Sequence, residues 1–321
     1  MATMAPSVPG RARTLFGNVR GGDRVAYLIT FLFAASILLV TVLLIFELWV
    51  KSSLAIHQFG FSFLWTSTWD PVEGQFGALP FIYGTIVTSI VGLLISVPLG
   101  VGAAIYLSEL APPKVSNALV FLVELLAAVP SVVFGLLAIF ALVPAMRLYV
   151  QPALIRAFGW SPFFKGPASG LGVLTASIVL AIMMFPYIIS ISREALMQVP
   201  REQREAALAL GATRWEATWD AVVPFAKLGI VGSVFLSLAR ALGETMAVTM
   251  VIGNDPRIAS SILAPGYTIA SVIANEFSEA TSDIHQSALV ALGLVLFLIT
   301  IILNGLGQLL LVLTAKPGTA K

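Results

Sequence analysis

Arg240 and Glu244 are the residues whose types and setting point most directly to chemistry. They lie four apart inside an apolar run over 224–253. Read as one helix rising about 1.5 Å per residue, the run puts Arg240 roughly 24 Å from Pro224 and roughly 20 Å from Gly253. That is near a bilayer midplane, where a charge costs about 2.5–3.5 kcal/mol on insertion scales. The i, i+4 spacing places both on one helix face, and Arg ahead of Glu is the weaker order for such a pair. A stabilising ion pair alone therefore accounts poorly for both residues. A guanidinium is permanently charged and can fork onto two oxygens of an oxyanion. One reading is a polar pathway for an anion, with Glu244 holding Arg240 or releasing it as a gate opens. The other is a satisfied pair packed against neighbouring helices. Thr245, Thr249 and Asn254 add polar groups along or just beyond this helix. Glu47 and Glu124 lie nearer the ends of other apolar runs, within reach of an interface or a neighbour.

The elements that must position these residues follow from composition. Of 321 residues, 58% are hydrophobic and 11% charged, against about 25% charged in an average soluble domain. The chain is too apolar for a soluble domain and has the opposite balance to a disordered one. Apolar runs long enough to span a bilayer cover 26–50, 79–107, 118–144, 171–191, 224–253 and 286–313. The first is too long for a signal-peptide core and reads as a retained helix. The fold class expected is an all-α membrane protein with six transmembrane helices. Arg11, Arg13, Arg20, Arg24, Lys114, Arg193, Arg201, Arg204, Arg214, Lys227 and the C-terminal Lys316 and Lys321 flank one side. Lys51, Arg147, Arg156, Lys165 and Arg257 flank the other. The richer side is cytoplasmic, which puts both termini and the segment 192–223 there. The expected organisation is a basic cytoplasmic tail over 1–22, a six-helix body over 23–315 and a short tail over 316–321. Trp49, Trp65, Trp69 and Trp160 suit the outer interface.

Small residues recur every four positions at Gly92, Ser96, Gly100 and Ala104, at Ala127, Ser131 and Gly135, and at Gly229, Ser233, Ser237 and Ala241. Such stripes let helix backbones approach closely in lipid. Pro98, Pro130 and Pro186 fall inside or near the ends of spans, where proline removes a donor and kinks a helix. A net charge of +2 is too small to imply a nucleic-acid partner. There is no cysteine, and His57 and His285 are too far apart in sequence to suggest a metal site. No G-x-x-x-x-G-K-[ST] loop, G-x-S-x-G elbow or H-E-x-x-H helix occurs. The chain is therefore expected not to be an enzyme, and energy for transport must come from a partner or an ion gradient.

The segment 199–224 reads VPREQREAALALGATRWEATWDAVVP. Pro200 suits the start of a helix, and Glu202 and Glu205 suit its positive end. Gly211 stops it in a left-handed cap. Thr213 and Glu216 form a capping-box pattern for a second short helix. Residues alone leave two readings: an amphipathic interfacial loop, or a rigid knob that docks into another protein and passes motion to the fifth span.

The stretch Glu205-Ala206-Ala207, three residues, Gly211, nine residues and Ala221-Val222-Val223-Pro224 resembles the EAA motif of ABC-importer permeases. The family pattern prefers Ile at Ala221 and Leu at Val223, and both departures keep small or apolar character. The resemblance implies that Glu205, Ala206, Ala207 and Gly211 dock into a cytoplasmic ATPase. QFGALPFIYGT over 75–85, VPLGVGAAIYLSELAP over 97–112, VPSVVFG over 129–135 and RALGETMAVTMVIGN over 240–254 resemble the phosphate-specific permeases of that class. Of the two related subunit types there, the chain is more similar to the PstC type. What this implies is a type I importer core in which Arg240 and Glu244 matter for phosphate passage. Implied partners are a second, homologous permease of the PstA type, two PstB-type ATPase subunits carrying ATP and Mg, and an extracytoplasmic PstS-type phosphate-binding protein. The implied location is a bacterial inner membrane. Sulfate or molybdate would also suit an intramembrane arginine, and a self-sufficient anion channel or carrier would need no ATPase.

Overall fold

The computed structural model describes residues 21–314. All but the last two residues of the tail expected over 1–22, and the whole of that expected over 316–321, lie outside the described residues. The chain divides into two units, Met1–Val50 and Lys51–Lys321. The described part of the first is α1 (Gly21–Lys51, to Val50), an apolar helix.

The second unit opens with α2 (Ser53–Phe59) and a hairpin of β1 (Trp69–Asp70) and β2 (Gln75–Phe76), in which Trp69 pairs with Phe76 and Asp70 with Gln75. The Asp70 carboxylate accepts from the Val72 and Glu73 amides and so closes the turn. Then come α3 (Leu79–Ile105), α4 (Pro113–Ala127), α5 (Ser131–Phe158) and α6 (Val173–Met197). A short α7 (Arg201–Ala209) leads into α8 (Arg214–Leu242), α9 (Met246–Ile252), α10 (Ile269–Glu276) and α11 (Asp283–Thr314). Among the described residues six helices are long and apolar enough to span a membrane: α1, α3 with its extension to Leu110, α5, α6, α8 and α11. The chain is a multi-pass membrane protein.

Two expected spans are corrected. The run over 118–144 is not a helix. It divides into α4, whose 15 residues reach only about 22 Å, and the first half of α5. Pro130, with extended backbone at φ −60° and ψ 142°, separates them. Pro144 does not end a helix at all. The turn before it widens, and the Val143 amide donates to the carbonyl of Ala138, five residues back. The same widened turn precedes Pro112, Pro152 and Pro224, each time through the residue just before proline: Ala111 to Tyr106, Gln151 to Met146, Val223 to Thr218. A proline ring crowds the carbonyl four residues back, and a π turn makes room for it. Hydropathy alone cannot tell Pro130 from Pro144. The second correction, in the fifth span, concerns the site itself.

Within the second unit α3, α4, α8 and α9 pack against α6. A Cβ on Gly100 would lie 2.8 Å from Ile188 Cγ2, and one on Gly92 would lie 3.0 Å from Met184 Cε, so α3 meets α6 through its small-residue stripe. Ser177 Oγ donates to the Thr88 carbonyl across the same contact at 3.0 Å. The stripe on α8 faces α6 too: Ser233 and Ser192 hydroxyls lie 2.8 Å apart, and a Cβ on Gly229 would overlap Ala195. The middle stripe is split, with Ala127 ending α4 and Ser131 and Gly135 in α5, where a Cβ on Gly135 would overlap Met250 of α9. Because lipid offers no hydrophobic drive to helix association, such close contacts carry the packing. Gly229→Val overpacks this contact, a change that typically costs 1–3 kcal/mol. Its midpoint of thermal unfolding in detergent is expected to fall by several degrees, while Gly232→Ala, whose Cβ has nothing within 4 Å, does not lower it and gains helix propensity.

Candidate functional site

The fifth span is broken where the charges sit. Instead of one helix over 224–253, α8 ends at Leu242 and α9 starts at Met246. Gly243 caps the first, and its carbonyl accepts the Thr245 hydroxyl at 3.2 Å. The Glu244 carboxylate accepts the Ala247 amide of α9 at 3.4 Å. Local side-chain bonds thus compete with the continuing helix at the glycine, where its backbone is easiest to divert. The order Arg before Glu now has a physical basis. Arg240 lies in the last turn of α8, where the dipole favours a cation, and Glu244 lies at the start of α9, where it favours an anion.

The expected i, i+4 pair does not form: among the described residues Arg240 and Glu244 make no ion pair. The Arg240 guanidinium lies over the Tyr187 ring of α6, 4.5 Å from its centroid. Arg240 is exposed in the single chain and Glu244 is half-buried. No hydrogen bond from the guanidinium to another described residue occurs, so its donors are available to fork onto an oxyanion. Thr249 and Asn254 are used locally. The Thr249 hydroxyl donates to the Thr245 carbonyl at 2.8 Å, and the Asn254 amide to the Thr249 carbonyl at 3.1 Å. They fasten α9 rather than offer free donors.

The knob over 199–223 folds as its residues direct. Pro200 is the cap just ahead of α7, and Gly211 takes φ +91° to reverse the chain. The Glu216 amide donates to Thr213 Oγ1 at 3.3 Å and the Thr213 amide donates back to the Glu216 carboxylate at 2.7 Å, completing the capping box. Glu205, Ala206 and Gly211 are exposed, Ala207 is half-buried and Leu210 is 91% exposed. A small, partly apolar surface therefore stands out from the bundle.

Sequence reading missed what anchors the knob. Arg204 forks onto the Glu109 carboxylate, at 2.9 Å from Nε and 2.7 Å from Nη2. It also donates to the carbonyls of Leu196, at 2.8 Å, and Val199. One side chain thus ties α7 to the ends of both α3 and α6. The hydrogen bonds to Glu109 hold the Arg204 pKa above its ordinary value, against the opposing pull of partial burial. Beneath the knob, Ala104, Ile105, Leu196, Val199, Val222, Ala226 and Ile230 form one buried cluster, so the base of α8 is packed against the same helix ends. The 95 residues between Glu109 and Arg204 hide the pair from any local pattern.

Arg193, read from sequence only as a flanking charge, has a second feature that packing alone reveals. Its buried Nε has no partner among the described residues. It lines a cavity of about 370 Å³ between α4 and α6, together with Glu124, Ser190 and Glu194.

On the other side of the bundle the connection between α9 and α10 is ordered by backbone bonds. Val173 and Leu174 amides donate to the carbonyls of Ala264 and Ile262, and the Tyr83 hydroxyl donates to the Ala259 carbonyl at 2.9 Å. Asp255 there has its pKa lowered, chiefly by hydrogen bonds from Arg257. The Glu276 carboxylate of α10 accepts Trp69 Nε1 at 2.9 Å and lies 3.1 Å from His285 Nε2, which fixes the hairpin to α10 and α11. Among the described residues no cluster of three or more His, Asp or Glu could hold a metal ion.

The model of the binding-protein-dependent transport system inner membrane component matches residues 96–311. A phosphate transport system permease protein PstC from Mesorhizobium japonicum is 46% identical over 292 residues, 89% of each chain. The protein of that name from Pasteurella multocida is 44% identical over 85% of each chain. One from Methanocaldococcus jannaschii, described as a probable PstC, is 36% identical over 79% of this chain and 82% of its own. Among solved structures, a chain of the MetNI methionine ABC transporter in an inward-facing conformation is similar over 74% of this chain and 95% of its own, with a TM-score of 0.57 and 15% identity. At that identity the likeness concerns the fold, a type I permease fold.

Proposed function

Because the chain belongs to the family of binding-protein-dependent transport system inner membrane components, we propose that it is the permease subunit of an ATP-driven inorganic phosphate importer. The observation that carries the substrate is the 46% identity to a phosphate permease over 89% of both chains. In this reading the chain forms half of the translocation pathway, completed by a second homologous permease. ATP and Mg are bound by a separate pair of ATPase subunits, and an external binding protein delivers phosphate. The sequence holds no P-loop, and in this reading the energy enters from the ATPase through the knob.

Arg240 supplies the oxyanion contact. Its donors are not consumed among the described residues, and a guanidinium can fork onto two oxygens of phosphate. Glu244 orients the start of α9 and keeps a carboxylate close to the passage. Glu205, Ala206, Ala207 and Gly211 form the surface that docks into the ATPase. When the ATPase pair closes, α7 moves with it. Arg204 carries that motion to α3 and α6, and α8 carries it to the break at Gly243.

The test is uptake of labelled phosphate by cells lacking their own uptake system, supplied with this chain, its companion permease, the ATPase and the binding protein. Omission of any one component is expected to abolish uptake. Ala206→Arg places a long charged side chain on the docking surface and is expected to reduce uptake at least tenfold with normal membrane insertion. Uptake that survives without the ATPase would instead establish a channel or a gradient-driven carrier.

A further inference from the structure

We propose that Tyr187 is a positioning residue for Arg240: its ring face holds the guanidinium at the break in the fifth span and links it to movement of the knob. The inference rests on the reading of Arg240 as the oxyanion contact. The guanidinium carbon lies 4.5 Å from the ring centroid, inside the roughly 6 Å over which a cation is drawn to an aromatic face. Arg240 has no hydrogen bond to another described residue, and the ring contact is what holds its guanidinium among them. An arginine carries much rotamer freedom, and a side chain already held in place loses less on meeting a ligand.

The place of Tyr187 along α6 adds the second half. It directly follows Pro186, which lies inside the helix and cannot donate to the turn before it. From Tyr187 to Met197, roughly 15 Å of helix, α6 runs to the carbonyl of Leu196, which accepts from Arg204 of the knob, as does that of Val199 just beyond the helix. The ring therefore stands at a weakened point of a rod whose far end is gripped by the coupling helix. A shift of α7 tilts this half of α6 and changes how the ring meets the guanidinium. Arg240 is held while the knob rests and is presented to the anion when the knob moves.

The test is uptake by the complete assembly with position 187 varied. Tyr187→Phe retains the ring and is expected to keep most of the uptake. Tyr187→Leu removes the ring and is expected to raise the KM for phosphate, or lower the maximal rate, by about two- to fivefold, the range expected for loss of an exposed cation–π contact. Tyr187→Leu combined with Arg240→Gln is expected to be no worse than Arg240→Gln alone, because both remove one interaction. The decisive series incorporates phenylalanine with one, two and three ring fluorines, which drain the negative face while scarcely changing shape. A stepwise loss of function along the series is expected. A flat series, with Arg240→Gln impaired, would overturn the role of Tyr187 and leave that of Arg240 standing. An Arg240→Gln protein with normal uptake would remove the reading on which the inference rests.

Discussion

Arg240→Gln is expected to lower phosphate uptake by at least about tenfold, with the subunit inserted and assembled at normal levels. Charge-assisted hydrogen bonds are worth about 1.5–3 kcal/mol each, so loss of one at the rate-determining passage corresponds to roughly ten- to 150-fold. Arg240→Lys keeps the charge but loses the planar fork, and is expected to fall between the two. Glu244→Gln should do less, because the amide oxygen can still accept the Ala247 amide at the start of α9. Uptake of labelled phosphate, corrected for the amount of assembled subunit, checks all three.

The second large effect is expected at the anchor of the knob. Arg204→Ala removes the fork to Glu109 and two further bonds, to the Leu196 carbonyl in the last turn of α6 and the Val199 carbonyl just beyond it, in one step. The fork is mostly shielded, with the side chains 23% and 9% exposed, so it is worth more than a surface pair. Uptake is expected to drop at least tenfold while hydrolysis by the ATPase no longer follows the presence of phosphate and binding protein. Exchanging the charges, Glu109→Arg with Arg204→Glu, should not restore coupling. A carboxylate at 204 cannot donate to the carbonyls of Leu196 and Val199. Simultaneous measurement of ATP hydrolysis and phosphate uptake in vesicles separates this uncoupling from a plain loss of assembly.

What could be read in advance was what is written locally. The knob was legible because its signals are neighbours: Pro200 before a helix, Gly211 at a positive φ, Thr213 and Glu216 three apart. Membrane-spanning character was legible from composition, since a bilayer imposes length and apolarity on every span. The ends of the third span were not, because proline has two outcomes. At Pro130 the chain extends, while at Pro144 a widened turn absorbs the ring, and hydropathy is blind to the difference. The break between Arg240 and Glu244 was hidden for a related reason. Gly243 reads as tolerable within an apolar helix, and only the capping by Thr245 and Glu244 turns it into an end. Tyr187 and Arg240, or Glu109 and Arg204, meet only through the packing of α6 with its neighbours. No periodicity within one element encodes such a contact.

Anion passage at Arg240, driven through the knob, is the central proposal. The most direct measurement is ATP-driven accumulation of labelled phosphate in vesicles containing the complete assembly, beside the same assembly with Arg240→Gln, in excess sulfate or molybdate. The expected result is uptake that requires ATP, that neither competitor abolishes, and that falls at least tenfold in the variant. Uptake without ATP, uptake abolished by sulfate or molybdate, or equal uptake by the two assemblies would contradict it.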